Sequence, residues 1–384
     1  MSLTRLIVQV ADNYIRFLPG TGNQIILMKK YYSCSKDIIG MNFALTIVWV
    51  FNTANYKTEE MEKLIVENQI ILDASIKMEH IGKIFEIMSK VPGFAEKNVQ
   101  VSQIEILPGG LTNFNFKVTA DNVTYAVRVA GPGTNEYLDR PGEKFNAQIM
   151  SDIGINAPIF YYDEVYGHQV CKYIDNCKTL HIPDFKESME YLSMAAKLFR
   201  KYHTCGKKFK ADFNPLKETY VYLNMLKEKN AELYEGNEKM LEKVDEIKAA
   251  FDKYPQELAP CHNDPLCENW LDDKENFWLI DWEYGGNNQP MFDLGALAIE
   301  AELSPEKERY LLKEYYGRDI TDKEYGLLII NRFVCDALWT YWAVLQIATG
   351  KAHEEYWPYG ENRFRRAMEL VDNGSLDKAL AEFK

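Results

Sequence analysis

No two of the seven cysteines form a Cys-x-x-Cys pair, and their number is odd. They lie scattered at positions 34, 171, 177, 205, 261, 267 and 335. Such a pattern is typical of reduced thiols in a cytosol. We therefore expect a cytoplasmic protein whose fold does not depend on disulfide bonds.

Positive charge is also scarce, because 44 Lys and Arg residues against 57 Asp and Glu residues give a formal net charge of −13. Affinity for nucleic acid comes largely from Lys and Arg contacts to phosphates, so this balance argues against a nucleic-acid partner. A cationic or metal-chelated ligand is better suited to a surplus of negative charge.

A membrane-length apolar run and a secretory signal are absent as well. The run IIGMNFALTIVWVF, residues 38–51, is shorter than the ~20 residues of a spanning helix, and Asn42 and Thr46 interrupt it. No basic segment followed by an apolar core and a small-residue cleavage site opens the chain. We expect a globular protein without stable membrane insertion, in which residues 38–51 form a buried strand or helix.

The chain contains no internal repeats, and its hydrophobic pattern divides it into three segments. Residues 1–75 carry no recognisable motif, and we interpret them as an N-terminal extension or small accessory domain of unknown role. Residues 76–175 begin with a helical pattern and continue with VSQIEIL, TNFNFKVTA and VTYAVRVA, which predict an antiparallel meander. Residues 176–384 are mostly helical in pattern. The sequence therefore predicts an α+β fold with a small antiparallel β-sheet lobe followed by a larger, mostly helical lobe.

The most informative stretch is CHNDPLCENWLDDKENFWLIDWEY, residues 261–284. Phosphoryl transfer requires an acid that accepts the proton of a hydroxyl and oxygen ligands that hold Mg²⁺ on nucleotide phosphates. Asp264 follows a His-Asn pair, Asn269 comes later in the same loop, and Asp281 lies in the next strand-like run. Because these residue types occur in that order and at that kind of spacing, the stretch predicts a phosphotransferase site.

Two features upstream suit a nucleotide. Gly109 and Gly110 form a turn between two strand-like runs, where backbone N–H groups can approach phosphate because no Cβ atom intervenes. Taken alone, such a glycine pair is a weak signal. Arg128 stands where a basic strand residue would contact the α and β phosphates, and Glu143 on the next predicted helix is its expected ionic partner.

From about residue 90 to the C-terminus, the sequence resembles the choline/ethanolamine kinase family and is nearest to its bacterial choline kinases. The resemblance is carried in order by GGLTN, YAVRVAG, GTNEYLDR, CHNDPLCEN, IDWEYGGNNQPMFDLGALAIE, WTYWAV and PYGENRF. This family belongs with the aminoglycoside phosphotransferases, which share the protein-kinase fold. The resemblance implies a bilobal protein-kinase-like fold, with a nucleotide-binding lobe at residues 76–175 and a catalytic and substrate-binding lobe at residues 176–384.

The resemblance also implies an activity, which is transfer of phosphate from ATP to the hydroxyl of choline in the presence of Mg²⁺. It makes Asp264 the catalytic base and makes Asn269 and Asp281 the metal ligands. The implied ATP-binding residues are Gly109, Gly110, Thr112, Asn113, Arg128, Glu143, Tyr173 and Ile174, of which the last two lie in the hinge KYID. The hinge lacks the proline that is frequent in the family. We expect a small-molecule substrate and either a monomer or a homodimer.

A quaternary ammonium group donates no hydrogen bonds, so aromatic faces and unpaired carboxylates must hold it. Trp339 and Trp342 lie three residues apart on a predicted helix, which puts both indoles on one face. The implied substrate-binding residues are Asp264, Glu283, Glu300, Trp339, Trp342 and Tyr359. Outside this context, the two tryptophans would be ordinary core residues and Glu300 a solvated helix residue, and these alternatives stay open.

Two neighbours of the motif have predicted supporting roles. We expect His262 to brace the loop that carries Asp264, instead of acting as a catalytic acid. We expect Asp293, near the start of a predicted helix, to accept hydrogen bonds from backbone groups of the same loop.

Other activities remain to be weighed against choline phosphorylation. The acceptor could be ethanolamine, an aminoglycoside, or a thiamine- or homoserine-like alcohol, but primary ammonium groups prefer carboxylates and carbonyls to an aromatic pocket. An alternative of another class is a non-catalytic nucleotide-binding or scaffolding protein. The presence of Asp264, Asn269 and Asp281 argues against it.

Overall fold

In the computed structural model, residues 138–383 are described without a gap. Residues 70–133 are described except for 74, 95, 96, 98, 110–112 and 132, and earlier residues only at Ile65 and in four short strands. Most of the predicted extension 1–75 therefore lies outside the described residues, as do Gly110 and Thr112 of the predicted ATP site. Of the apolar run 38–51, only the strand Ala44–Thr46 is described.

The strands are β1 (Val10–Ala11), β2 (Tyr14–Ile15), β3 (Lys29–Tyr31), β4 (Ala44–Thr46), β5 (Ile71–Leu72), β6 (Val101–Leu107), β7 (Phe114–Ala120), β8 (Val123–Val129), β9 (Ile159–Tyr162), β10 (Gln169–Lys172), β11 (Lys178–Thr179), β12 (Ala259–Cys261), β13 (Trp270–Asp272), β14 (Phe277–Leu279) and β15 (Gly286–Asn288).

The helices are α1 (Met78–Ser89), α2 (Arg140–Asp152), α3 (Ile182–Glu187), α4 (Met189–His203), α5 (Pro215–Glu228), α6 (Asn237–Lys253), α7 (Pro290–Glu300), α8 (Pro305–Tyr316), α9 (Asp322–Ala348), α10 (His353–Asp372) and α11 (Ser375–Ala381). The chain forms two compact units, one comprising residues 1–131 and 168–173 and the other residues 132–167 and 174–384.

The first unit is built on a β-sheet in which β5, β6, β7, β8 and β10 are neighbours in that order. The pairs β6–β7, β7–β8 and β8–β10 are antiparallel, and only the short β5 runs parallel to its neighbour. The predicted meander is therefore confirmed. Asp121 and Asn122 connect β7 to β8 with φ of 45° and 63°, values that suit the tight turns of β-hairpins. Helix α1 contributes Ile81 and Ile84 to the core of this unit.

The second unit is mostly helical and contains two apolar clusters. One cluster is formed mainly by α5, α6, α9 and α10, and the other by α4, α8 and the β13–β14 hairpin. Helix α7 contributes to both, and every residue from Met291 to Ile299 is buried. A helix that is apolar all round belongs in a core, so α7 is a fixed platform for the side chains at its ends.

Helix α9 is the longest helix of this unit, with 27 residues. Thr321 and Glu324 cap its first turn reciprocally, with Glu324 N donating to the Thr321 hydroxyl and Thr321 N donating to the Glu324 carboxylate. Among the described residues, α9 alone is long and apolar enough to cross a membrane, but 89% of its most apolar window is buried inside the protein. Its burial identifies it as a core helix. The fold class is thus α+β, with a small sheet unit and a larger helical unit, as predicted.

Close approach of α7 and α9 gives a testable prediction at Gly295. A Cβ atom there would lie 3.1 Å from the backbone nitrogen of Arg332 and 3.1 Å from the carbonyl carbon of Asn331. Helix propensity favours Gly→Ala by about 1 kcal/mol, but overpacking a rigid backbone contact costs about 1–3 kcal/mol. We expect Gly295→Ala to lower the melting temperature, as measured by thermal denaturation.

The matched control is Gly326→Ala in α9. Its Cβ would meet Ala379 at 3.5 Å, an ordinary van der Waals distance, so only the favourable propensity term remains. We expect an unchanged or higher melting temperature for this variant. Equal stabilisation by both substitutions would contradict the close packing of α7 against α9.

Candidate active site

The loop that carries Asp264 begins where β12 ends. Strand β12 pairs antiparallel with β15, so that Cys261 lies opposite Gly286. A Cβ on Gly286 would lie 2.7 Å from the Cβ of Phe213, which explains why glycine occupies this place. After Cys261 the chain turns at Asn263, whose φ is 68°, and presents Asp264.

A buried carboxylate fixes this turn. Asp293 in α7 is fully buried and accepts hydrogen bonds from the backbone N–H groups of His262 at 2.8 Å and Asn263 at 2.7 Å. The Tyr202 hydroxyl also donates to it, and His203 Nε2 lies 3.1 Å away. Burial disfavours its charge, but the hydrogen bond and charge of His203 hold the pKa of Asp293 below its usual range. The predicted role of Asp293 is confirmed.

His262 braces the same turn from the other side. Its Nε2 lies 2.8 Å from the carbonyl oxygen of Ile280, and its Nδ1 accepts from the backbone N–H of Asp264 at 3.3 Å. A carbonyl can only accept, so Nε2 carries the proton in a neutral ring. Burial against Trp282 lowers the pKa of His262, which agrees with that neutral form. The predicted bracing role is confirmed.

Asp264 lies in a cluster of carboxylates that also contains Asp281, Glu283 and Glu300. Burial raises the pKa of Asp264 well above its usual range, and the negative charges of Glu300, Asp281 and Glu283 raise it further. Like charges that are held together destabilise the ionised forms unless cations neutralise them. The cluster is therefore suited to bind positive charge.

Asn269 and Asp281 are the residues predicted to coordinate a metal. Asn269 Nδ2 donates to the carbonyl of Asp264 at 3.1 Å, an arrangement that identifies its other amide atom as an oxygen free to coordinate. Asp281 follows the β13–β14 hairpin with φ of 67°, and Ile280 N donates to the Asn269 carbonyl at 3.0 Å, which ties the two segments together. Carboxylate and amide oxygens are the donors that Mg²⁺ prefers, so these residues fit a magnesium ion.

A second group of side chains could bind a metal, because their ligand atoms all lie within 4.8 Å of one another. These residues are His203, Cys261 and Asp293. Asp293 is already engaged by two backbone amides and by His203. Burial raises the pKa of the Cys261 thiol well above its usual range, which keeps the thiol protonated. A protonated thiol is a poor ligand, so we assign this group to support of the Asp264 turn.

Four of the residues predicted to bind ATP are described in the first unit, namely Gly109, Asn113, Arg128 and Tyr173. Arg128 is buried in β8, and Asn113 Oδ1 accepts from Gly131 N at 3.4 Å. Gly109 has φ of 105°, a conformation that favours glycine. Tyr173 is the last residue of this unit and Ile174 resumes the second unit.

Glu143 has a partner that sequence reasoning missed. It lies in the second unit, in the first turn of α2, and accepts from Arg140 Nη1 at 2.6 Å. The same Arg140 nitrogen lies 3.5 Å from Glu283, and all three side chains are buried. Arg140 therefore links α2 to the segment that follows Asp281. The spacing of Arg140 and Glu143 on one helix face was the only sequence signal for this pair.

The three aromatic residues that the sequence assigns to the substrate site contact one another. The ring centroids of Trp339 and Trp342 in α9 lie 5.8 Å apart, and Tyr359 of α10 lies 5.8 Å from Trp342. Tyr284, from the loop after Asp281, makes an edge contact with Trp339 at 4.9 Å. Both tryptophans are only 4% exposed, so they are core residues. We call Trp339, Trp342 and Tyr359 the aromatic wall.

Glu300 is not the unpaired carboxylate that the sequence led us to expect. Arg363 Nη2 lies 3.0 and 2.9 Å from its two oxygens, and Arg366 Nη2 lies 3.0 Å from Oε1. Arg366 also pairs with the buried Asp336. The sequence analysis did not predict that two arginines of the segment NRFRR, Arg363 and Arg366, pair with Glu300.

A family model described as choline/ethanolamine kinase matches residues 104–325. The protein LicA of Haemophilus influenzae is 28% identical over 272 residues, which cover 69% of this chain and 78% of that protein. The crystal structure of a choline/ethanolamine kinase family protein from Mesorhizobium loti superposes with a TM-score of 0.69 at 29% identity, covering 79% of this chain and 98% of that one. The structure of choline kinase LicA from Streptococcus pneumoniae gives a TM-score of 0.65 at 26% identity and covers 79% of this chain and 100% of that one.

The matched region spans the carboxylate cluster, the turn fixed by Asp293 and the metal-ligand loop, and it includes more than half of the sequence. The chain belongs to the choline/ethanolamine kinase family, whose members are phosphotransferases with alcohol acceptors.

Proposed function

We propose that the protein phosphorylates the hydroxyl group of choline, with MgATP as donor, to give phosphocholine and ADP. The observation that supports this proposal best is the aromatic wall beside an acidic cluster. Burial raises the pKa of Tyr359, and the negative charges of Glu300 and Asp264 raise it further, so Tyr359 lies beside the acidic cluster, and its ring packs on Trp342. A site with aromatic faces, carboxylates and a base suits an alcohol that carries a cationic group.

Asp264 is the proposed catalytic base. The substrate oxygen forms a bond to the γ-phosphorus of ATP as the bond from that phosphorus to the β–γ bridging oxygen breaks, and the Asp264 carboxylate accepts the hydroxyl proton. A base must be ionised, whereas burial and neighbouring carboxylates raise the pKa of Asp264. A cationic substrate brings positive charge into the cluster, which favours the ionised form.

Asn269 and Asp281 would hold the magnesium ion, since their oxygen atoms fit its preference. When bound, Mg²⁺ neutralises charge on the phosphates that are being transferred and released. Arg140 holds Glu283 through their contact at 3.5 Å, and Glu283 is proposed to complete the acidic side of the substrate site.

For the nucleotide we propose the backbone around Gly109 and Gly110 with Thr112 and Asn113, the cation of Arg128 with Glu143, and the hinge at Tyr173 and Ile174. Arg128 is buried, so it is not a solvated surface cation. We propose an ATP-dependent enzyme of the cytoplasm, the compartment that its scattered cysteines suit.

Ethanolamine is the alternative acceptor, since the family description names both alcohols. The aromatic wall favours choline, because a trimethylammonium group is stabilised by ring faces and needs no hydrogen-bond acceptor. The direct experiment measures phosphate transfer from MgATP to choline, ethanolamine and several aminoglycosides. We expect the highest kcat/KM with choline. A clear preference for ethanolamine, or no transfer to either alcohol, would contradict the proposal.

Two substitutions separate the metal site from the base. Asp281→Asn should abolish turnover while the melting temperature stays near that of the wild type, because it removes a charged metal ligand. Asp264→Asn should lower kcat by about 10²- to 10⁴-fold with little change in ATP KM, because the base acts on the alcohol. Steady-state kinetics with both substrates measure these effects.

The control for these variants is Asp252→Asn, which removes an exposed carboxylate that pairs with Lys248. Its kinetics should match the wild type. Normal turnover by Asp281→Asn, or a large loss of ATP affinity in Asp264→Asn, would mean that the roles are misassigned.

Trp342→Ala tests the aromatic wall. Loss of about 1.5–3 kcal/mol of cation–π and apolar contact should raise the choline KM by one to two orders of magnitude and leave ATP KM unchanged. Trp342→Phe should have a smaller effect because an aromatic face survives. Both Michaelis constants and the melting temperature are measured for each variant.

Trp357→Ala is the matched control, because Trp357 of α10 packs on Tyr234 and on His353 of the same helix and does not belong to the aromatic wall. It should lower the melting temperature without changing the choline KM. If Trp342→Ala behaves in the same way, the tryptophan serves only the core.

A further inference from the structure

Glu300 and Arg363 form a bidentate pair at the edge of the proposed substrate site. Both oxygens of Glu300 accept from Arg363 Nη2, at 3.0 and 2.9 Å, and the Arg363 side chain is 6% exposed. Arg366 donates a third hydrogen bond to Oε1 at 3.0 Å. Glu300 lies at the last position of α7, while both arginines come from α10.

Arg363 also contacts the aromatic wall. Its guanidinium carbon lies 3.5 Å from the centroid of the Tyr359 ring, one helical turn earlier in α10. A guanidinium stacked at this distance covers one face of the ring. Arg363 therefore fixes two of the residues assigned to the ammonium group, Glu300 through charge and Tyr359 through stacking.

The charge of Glu300 is compensated within the protein. Arg363 and Arg366 carry two positive charges that face its carboxylate, and Arg366 also pairs with Asp336, whose pKa is raised by burial to about 7. Glu300 thus offers little uncompensated charge to a ligand. A carboxylate has roughly four lone-pair positions, and three hydrogen bonds from the arginines already occupy most of them.

This arrangement affects quaternary and primary ammonium groups differently. A trimethylammonium group has no N–H to satisfy, so an occupied Glu300 costs it nothing. A primary ammonium group brings three N–H donors out of water, and a donor left without an acceptor in a buried site is unfavourable. An occupied Glu300 therefore discriminates against the primary ammonium.

We propose that Arg363 is a positioning residue that sets the selectivity of the site for quaternary over primary ammonium alcohols, because it occupies Glu300 and holds Tyr359 in place. This inference rests on the proposed function. It concerns the ratio of two substrates, so it is tested separately from the identity of the preferred one.

The experiment measures kcat/KM for choline and for ethanolamine with MgATP in the wild type, Arg363→Gln and Arg363→Lys. Glutamine is uncharged and shorter than arginine, so it does not neutralise Glu300 or stack on Tyr359, and Glu300 becomes an acceptor for ethanolamine. We expect the choline-to-ethanolamine ratio to fall by about tenfold or more, with ATP KM unchanged. Lysine keeps the positive charge but lacks the planar guanidinium group. The choline-to-ethanolamine ratio of Arg363→Lys should therefore lie between those of the wild type and Arg363→Gln.

Two arginine variants serve as controls. Arg365→Gln removes a surface arginine of the same helix that pairs with Glu369, and it should leave the ratio unchanged. Arg332→Gln breaks a pair with the buried Glu308 outside the aromatic wall. It should lower the melting temperature while leaving the ratio unchanged, and so measures the effect of instability alone.

Three outcomes would overturn the inference: a wild-type ratio in Arg363→Gln, an equal loss for both alcohols, or a change of the same size in Arg332→Gln. If Arg363→Gln does not fold, Arg363→Lys decides, and a wild-type ratio in that variant overturns the inference. A wild type that prefers ethanolamine contradicts the choline assignment, whereas a lower ratio in Arg363→Gln still supports the role of Arg363. If the wild type phosphorylates neither alcohol, both the proposed function and the role of Arg363 are overturned.

Discussion

The site depends on one buried carboxylate, Asp293, which accepts hydrogen bonds from the backbone N–H groups of His262 and Asn263. Those bonds hold the chain in the turn that presents Asp264, including the left-handed conformation of Asn263. Asp293 can do this because α7 is buried on all sides and cannot shift without disturbing both apolar clusters. The same helix ends at Glu300. One rigid element therefore sets the separation between the support of the proposed base and the edge of the proposed substrate pocket.

The acidic cluster shows how the protein handles repulsion between carboxylates. Buried arginines face two of its members, Arg140 beside Glu283 and Arg363 beside Glu300. The remaining electrostatic stress is visible at Asp264, whose pKa is raised by burial and by its acidic neighbours. A cationic substrate relieves that stress when it binds, so its binding also favours the ionised form that a base requires. The negative net charge of the whole chain acts in the same direction, since it attracts cations towards the protein.

The sequence predicted correctly those features whose residues lie close together along the chain. The loop from His262 to Asp281 is one turn and one hairpin, and the strands of the meander follow an alternating pattern, so both could be predicted from local rules. The partners of Glu300 could not be predicted, because Arg363 lies 63 residues away and meets Glu300 only when α7 and α10 both pack on α9. Arg140 was missed for a related reason. The pattern suggested Arg128 for Glu143, and only the folded chain brings Arg140 against both Glu143 and Glu283.

In the proposed function, the residues of the aromatic wall combine core packing with ligand binding. Trp339 and Trp342 are almost completely buried, as ordinary core aromatics would be, yet they pack against Tyr359 and Tyr284 at the edge of the proposed site. Close-packed interiors resist deformation, so a wall made of core residues keeps its shape without a ligand. A preorganised wall loses little conformational entropy on binding, which leaves more of the cation–π energy for affinity. In the proposed function, the long apolar helix α9 therefore serves recognition as well as stability, because its burial makes the wall rigid.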